Sequence, residues 1–269
     1  MAVQYKYLDS FIDEQRANGK YSFTTEGLHS KLGVSENALK KTLQRLKNQE
    51  SVVMIRRGFY VIVPAEYRAK GIIPTNLYID DLMKFLSRDY YVGLLNAAAY
   101  HGAAHQQPQS YSIITEGIAL RHIKNDKVGI HFYSKKSWNK EDIVKKKVDT
   151  GYINISSAEL TAMDLVSYYH EVGGFNRVAT VIEELKDAIQ PKKLVETAKR
   201  YNEISVIQRL GYILECVLDE NKLSSFLYNY LDSIRHYPVL LRPQRKKLGN
   251  MITGNKWKVA PNIEIEADI

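Results

Sequence analysis

Between Thr24 and Val63 the chain carries side chains suited to gripping and reading a polyanion. Leu39, Leu43 and Leu46, spaced i, i+4 and i+7, define one apolar face of a helix. The positions left facing outward are Glu36, Asn37, Lys40, Lys41, Gln44 and Arg45. Amides and cations on such a face can read base edges in a major groove or hold phosphates. In the expected mechanism Asn37 and Lys41 point toward bases, while Lys40, Arg45, Arg56 and Arg57 hold phosphates. Glu36, near the helix opening, can select against anion contact or accept from a cytosine amine. Further on, Arg56-Arg57-Gly58 separates two apolar runs, Val52 to Ile55 and Phe59 to Val63, and reads as a hairpin whose tip bears two cations. Ser35, Asn37, Lys40, Lys41, Gln44, Arg45, Arg56 and Arg57 are thus the candidate DNA-contacting residues, and double-stranded DNA is the expected partner.

Local chemistry places this face. Thr24 or Thr25 can cap a short helix whose Leu28 and Leu32 turn inward. Gly33 ends that helix where a positive φ is required, Val34 plugs the turn, and Ser35 offers its hydroxyl to the open amides of the next helix. Val3 to Ala17, with Leu8, Phe11 and Ile12, supplies a first helix that Gly19 ends. The order is that of a winged helix-turn-helix. A Lys/Arg-rich helix face is most often only a solvated surface. Turn chemistry, outward polar set and basic hairpin together favour DNA binding over that alternative.

The charge distribution agrees. The 269 residues carry a formal net charge of +8, and residues 1 to 63 contribute +4 of it, which favours a polyanionic partner. A second excess, nine Lys/Arg against Asp126, Glu141 and Asp142, runs from Arg121 to Lys147. It suits an auxiliary nucleic-acid face, a grip on an acidic partner, or a solvated strand edge that resists edge-to-edge pairing. The one cysteine, Cys216, lies in the apolar run Leu210 to Leu218, so it reads as a buried thiol suited to a reducing compartment. No hydrophobic leader core and no run near 18 apolar residues is present, which predicts a cytoplasmic protein with no membrane partner.

The expected fold class is α+β: an N-terminal winged helix-turn-helix over 1–64, a linker over 65–77 bracketed by Pro64 and Pro74, and a larger, mostly helical mixed α/β domain over 78–269. In the latter, Tyr78 to Leu86 and Tyr91 to Tyr100 read as helices. Tyr111 to Thr115, Val128 to Tyr133 and Val148 to Ile155 read as strands. Helices are expected over Ser157 to Tyr168, Phe175 to Leu185, Pro191 to Arg200, Ile204 to Leu218 and Lys222 to Ser233. Lys256 to Val259 and Asn262 to Glu266 alternate enough for one or two terminal strands.

Tests for catalytic chemistry fail. His101 and His105 are four apart, but no Glu follows the first, as a metalloprotease helix would require. In Gly249 to Lys256, Asn255 separates Gly254 from the lysine and Trp257 stands where a phosphate-binding loop needs a hydroxyl. Glu159 and Asp164 lie at i and i+5, on different helix faces. Cys216 has no neighbouring base. The 19 tyrosines are spread without a basic groove and read as core and rim. No metal, cofactor or enzymatic activity is expected.

Several segments resemble the AbiEi family of antitoxins. They are Arg56-Arg57-Gly58-Phe59-Tyr60-Val61, Tyr91 to Ala103, Ser157-Ala158-Glu159-Leu160-Thr161-Ala162-Met163-Asp164-Leu165, and Trp257 to Ile265. The resemblance implies a bacterial protein encoded beside a nucleotidyltransferase-like toxin in systems tied to abortive infection. It implies an N-terminal domain that represses the shared operon at inverted repeats, bound as dimers or paired monomers, and a C-terminal domain that carries antitoxin activity. Neutralisation in the family is of type IV, without a stable complex with the toxin. Two alternatives are a plain winged-helix regulator with a ligand-sensing C-terminal domain and, ranked lower, a metal-dependent nuclease.

Overall fold

The structure is a computed structural model that describes residues 2–33, 35–103, 108–243 and 254–266. Val34, His105 and the Gly249 to Thr253 part of the glycine-containing run lie outside the described residues, as does the side chain of Leu32. The fold is mixed α+β. The chain opens with α1 (Ala2–Ala17), β1 (Ser22–Thr24), α2 (Thr25–Leu32), α3 (Glu36–Asn48), β2 (Val52–Arg56) and β3 (Phe59–Ile62). These strands form an antiparallel sheet in the order β1-β3-β2. Leu8, Phe11 and Ile12 of α1, Leu28 of α2, Leu39, Leu43 and Leu46 of α3, and Phe23, Val52, Tyr60 and Ile62 of the strands make one buried cluster. Phe23 stacks on Tyr60 and meets Phe11 edge-on.

The chain continues with α4 (Ile79–Phe85), β4 (Tyr90–Val92), α5 (Leu94–Tyr100), β5 (Tyr111–Glu116), β6 (Ile123–Lys124), β7 (Gly129–Lys135), β8 (Ile143–Val148) and β9 (Gly151–Ser156). The sheet order is β6-β7-β5-β4-β9-β8. β5 and β7 pair in parallel, as do β4 and β9, while β6 is antiparallel to β7. Tyr91 to Tyr100 is therefore not one helix. Its first residues are a central strand, in which Tyr90, Tyr91 and Val92 are all buried. The turn into α5 places buried Leu94 at φ +55°, a conformation that costs a residue with a side chain about 1–3 kcal/mol. Val148 to Ile155 is likewise divided: β8 ends at Val148 and β9 begins at Gly151.

The remaining elements are α6 (Ala158–Ser167), α7 (Phe175–Leu185), α8 (Pro191–Tyr201), α9 (Ile204–Tyr212), α10 (Asn221–Asp232), β10 (Val239–Leu240) and β11 (Val259–Ala260). α6 is buried from Ala158 to Val166 on every face, as befits a central helix. α9 passes into a π-helical turn over Ile213–Val217, which leaves Cys216 exposed rather than in the core. β10 and β11 pair in parallel, and no strand forms over Asn262 to Glu266.

By contact the chain forms two compact units. The first comprises Met1–Tyr91, Gln109–Lys135 and Lys145–Asn154, and the second Val92–Pro108, Lys136–Val144 and Ile155–Ile269. In the second unit, fully buried Trp257 pins the C-terminal strand to α9. Its indole N–H donates to Glu215, and the Gln208 amide donates to the carbonyls of Tyr237 and Trp257 at 2.9 and 2.8 Å. Gly211 makes this possible: a β-carbon there would fall 2.0 Å from the indole ring. Gly211→Ala should displace the ring and cost about 1–3 kcal/mol. A lowered melting temperature with a red-shifted tryptophan emission would verify this, and an unchanged spectrum would contradict it.

Candidate nucleic-acid interface

In the first unit, capping sets the positions of α2 and α3. The Thr24 hydroxyl accepts from the Gly27 amide at 3.0 Å, and Gly33 closes α2 at φ +60°. The Ser35 hydroxyl accepts from the Ala38 amide at 3.4 Å and so opens α3. Ser35 is engaged as a cap, while Asn37, Lys40, Lys41 and Gln44 are exposed. Gln44 donates to Asn48 one turn on, at 3.0 Å. Arg45 is half-buried and paired with Asp9 of α1 at 3.2 Å, so its charge is already partly met.

The hairpin divides its two arginines. β2 and β3 shift register between Met54 and Arg56, and the turn is Arg57-Gly58, with Gly58 at φ +87°. Arg57 is exposed. Arg56 turns the other way, since successive strand residues face opposite sides. Its guanidinium donates to the Arg121 carbonyl and lies 5.6 Å from the Phe132 ring centroid. Burial, and secondarily Arg121, lowers its pKa. The two cations therefore do not form one tip.

A groove of about 820 Å³ joins α2, α3 and the hairpin turn. Lys40, Gln44, Lys47 and Arg57 line it, together with Thr25, His29, Ser30 and Tyr60. Lys47 and the α2 side chains were not singled out from the sequence. His29 and Ser30 follow inward-facing Leu28, and that offset is the signal that could have found them. Glu26 and Glu36 also line the groove, each in the first turn of its helix, where a carboxylate complements the helix dipole. No ion pair among the described residues engages Lys40, Lys41, Lys47 or Arg57.

The second unit holds a polar cleft of about 270 Å³ near the start of α6. Buried Asp142 is gripped by Arg200 of α8, through Nε at 2.9 Å and Nη2 at 2.6 Å, and it accepts from the Thr197 hydroxyl at 2.7 Å. Ser157 caps α6 by accepting from the Leu160 amide, and buried Glu159 accepts from the Gln190 amide at 2.9 Å. Asp164 accepts from the Tyr201 hydroxyl, whose pKa is raised by burial and by that carboxylate. The His101 Nε2–H donates to the Ser156 carbonyl at 2.8 Å. Among the described residues, no three His, Cys, Asp or Glu side chains are grouped to hold a metal. No helix there is long and apolar enough to cross a membrane. The polar groups at this cleft thus tie α6 and α8 together. Arg200→Met should cost on the order of 3 kcal/mol by stranding Asp142, and adding Asp142→Asn should recover part of the loss. Denaturant unfolding of both variants would measure this, and a double variant no more stable than the single would contradict it.

Residues 91–216 match the family described as AbiEi antitoxin C-terminal domain. Among solved structures, the chain is similar in fold to the Rv2827c protein from Mycobacterium tuberculosis, with a TM-score of 0.67 at 13% sequence identity. The likeness covers 94% of this chain and 90% of that one. No curated protein matches the chain. Over residues 91–216, which run through strands of the first unit as well as helices α5 to α9 of the second, the chain is thus similar to the C-terminal domain of the AbiEi antitoxins.

Proposed function

We propose that the protein is a non-enzymatic antitoxin that also represses its own operon. Residues 1–64 act as a winged helix-turn-helix on duplex DNA, and the rest counteracts a nucleotidyltransferase-like toxin without a stable complex. The observation that carries the DNA reading is the groove shared by α2, α3 and the hairpin turn, bordered by lysines and an arginine that make no ion pairs. In this reading α3 enters a major groove with Asn37 and Lys41 toward bases, while Lys40, Lys47 and Arg57 hold phosphates. Dimers or paired monomers occupy inverted repeats upstream of the gene. Arg45 and Arg56, engaged within the protein, position the elements that carry these contacts.

The division of labour has a direct test. Lys41→Ala combined with Arg57→Ala should abolish repression of a reporter driven by the upstream promoter, while protection against the co-expressed toxin persists. Full repression by the folded double variant would overturn the DNA reading. Loss of both activities in a folded protein would overturn the separation of the two roles.

A further inference from the structure

The basic stretch from Arg121 to Lys147 is not one surface. Lys145, Lys146 and Lys147 lie on β8, one edge of the six-stranded sheet, whereas Arg121 and Lys124 lie at β6, the opposite edge. The β6 end contacts the hairpin and the residue before β2. The Arg121 carbonyl accepts from the Arg56 guanidinium, and Lys127 reaches Glu50, just before β2, at 2.8 Å. These contacts all lie within the first unit.

The charges at this end are unequally spent. Lys127 is neutralised by Glu50, a contact that also lowers the Glu50 pKa. Among the described residues Arg56 is in no ion pair and its buried Nε has no hydrogen-bond partner, while the charge that acts on it is the Arg121 side chain, a cation. Arg121 and Lys124 are exposed, and no ion pair among the described residues engages them. Between them in sequence, exposed His122 accepts the Phe132 amide at Nδ1, 3.0 Å away, which leaves Nε2 to carry the proton, and its ring lies 5.0 Å from that of His131. Arg56 lies near enough to the Arg121 side chain to feel its charge, and with exposed Arg121 and Lys124 it makes a positive surface that external anions can balance. Successive phosphates of a duplex supply such anions.

We infer that Arg121 and Lys124, with the His122 Nε2–H, form a second row of phosphate contacts on a bound duplex, on the Arg56 side of the hairpin. This rests on the DNA-binding reading above. Phosphate contacts fix register without reading sequence, so the β6 row adds affinity for flanking DNA rather than discrimination between operators.

The test uses the full chain, a duplex from directly upstream of its gene and a scrambled duplex, each titrated over a salt series. Arg121→Gln with Lys124→Gln should make the slope of log K against log salt shallower by about 2, one unit per lost phosphate. Both duplexes should weaken by the same factor, so their affinity ratio stays unchanged. Arg121→Gln retains the backbone carbonyl that Arg56 uses, and an unchanged melting temperature verifies folding. A second variant, Arg121→Glu, gives Arg56 a carboxylate neighbour and should raise the melting temperature while weakening DNA binding further. Unchanged slopes in these variants, beside a wild type that binds with salt sensitivity, would overturn the β6 row alone. A wild type with no salt-sensitive binding would overturn the DNA reading on which it rests. A changed affinity ratio would contradict the assignment to phosphates.

Discussion

Everything assigned to the N-terminal elements depends on how α3 is rotated, and burial settles that rotation. Leu39, Leu43 and Leu46 each sit almost wholly out of water, and burying such a side chain contributes about 1.5–3 kcal/mol. Turning the helix by one residue, roughly 100°, would expose that stripe and press lysines into the cluster around Phe11 and Phe23. With the stripe inward, Asn37, Lys40 and Lys41 must face water. Tyr60 and Ile62 of the hairpin pack into the same cluster, so the core that fixes α3 also fixes where Arg57 stands beside it. The groove is a consequence of that shared core.

The second unit follows a different logic. The polar residues of the Ser157 to Leu165 segment, which carry much of the family resemblance, are occupied in holding helices together. Ser157 caps α6, Glu159 takes an amide at the start of α8, the Thr161 hydroxyl meets that of Ser156, and Asp164 takes the Tyr201 hydroxyl. Such groups are costly to leave unpaired once buried, and their chemical identity follows from packing. Trp257 against Gly211 is the same kind of requirement at the other end of the unit.

Local patterns were legible in the sequence where neighbours in sequence are neighbours in space. The caps at Thr24 and Ser35, the stripe of α3, and Phe175 to Leu185 as a helix were all readable from spacing. What failed depended on distant partners. Tyr91 to Tyr100 reads as one helix because the strand at its start is apolar on both faces, and its place between β5 and β9 makes it a strand. Cys216 was placed in the core by its apolar neighbours, but the π-helical turn that begins at Ile213 shifts the face it presents. Arg56 looked equivalent to Arg57 because nothing nearby in sequence shows Phe132 and the Arg121 carbonyl waiting on the other side. The candidate interface was thus half visible: the α3 side chains could be named, whereas the α2 wall of the groove and the orientation of the two arginines required the fold.

The most direct test of the central claim is a titration of the purified full chain against the duplex immediately upstream of its gene and a scrambled duplex, at several salt concentrations. With about 4 to 5 phosphates neutralised by one module, log K for the upstream duplex should fall with log salt at a slope near −4, and that duplex should bind more tightly than the scrambled one. Weak binding, equal on both duplexes and insensitive to salt, would contradict the account and reduce the helical face of Lys40 and Lys41 to a solvated surface.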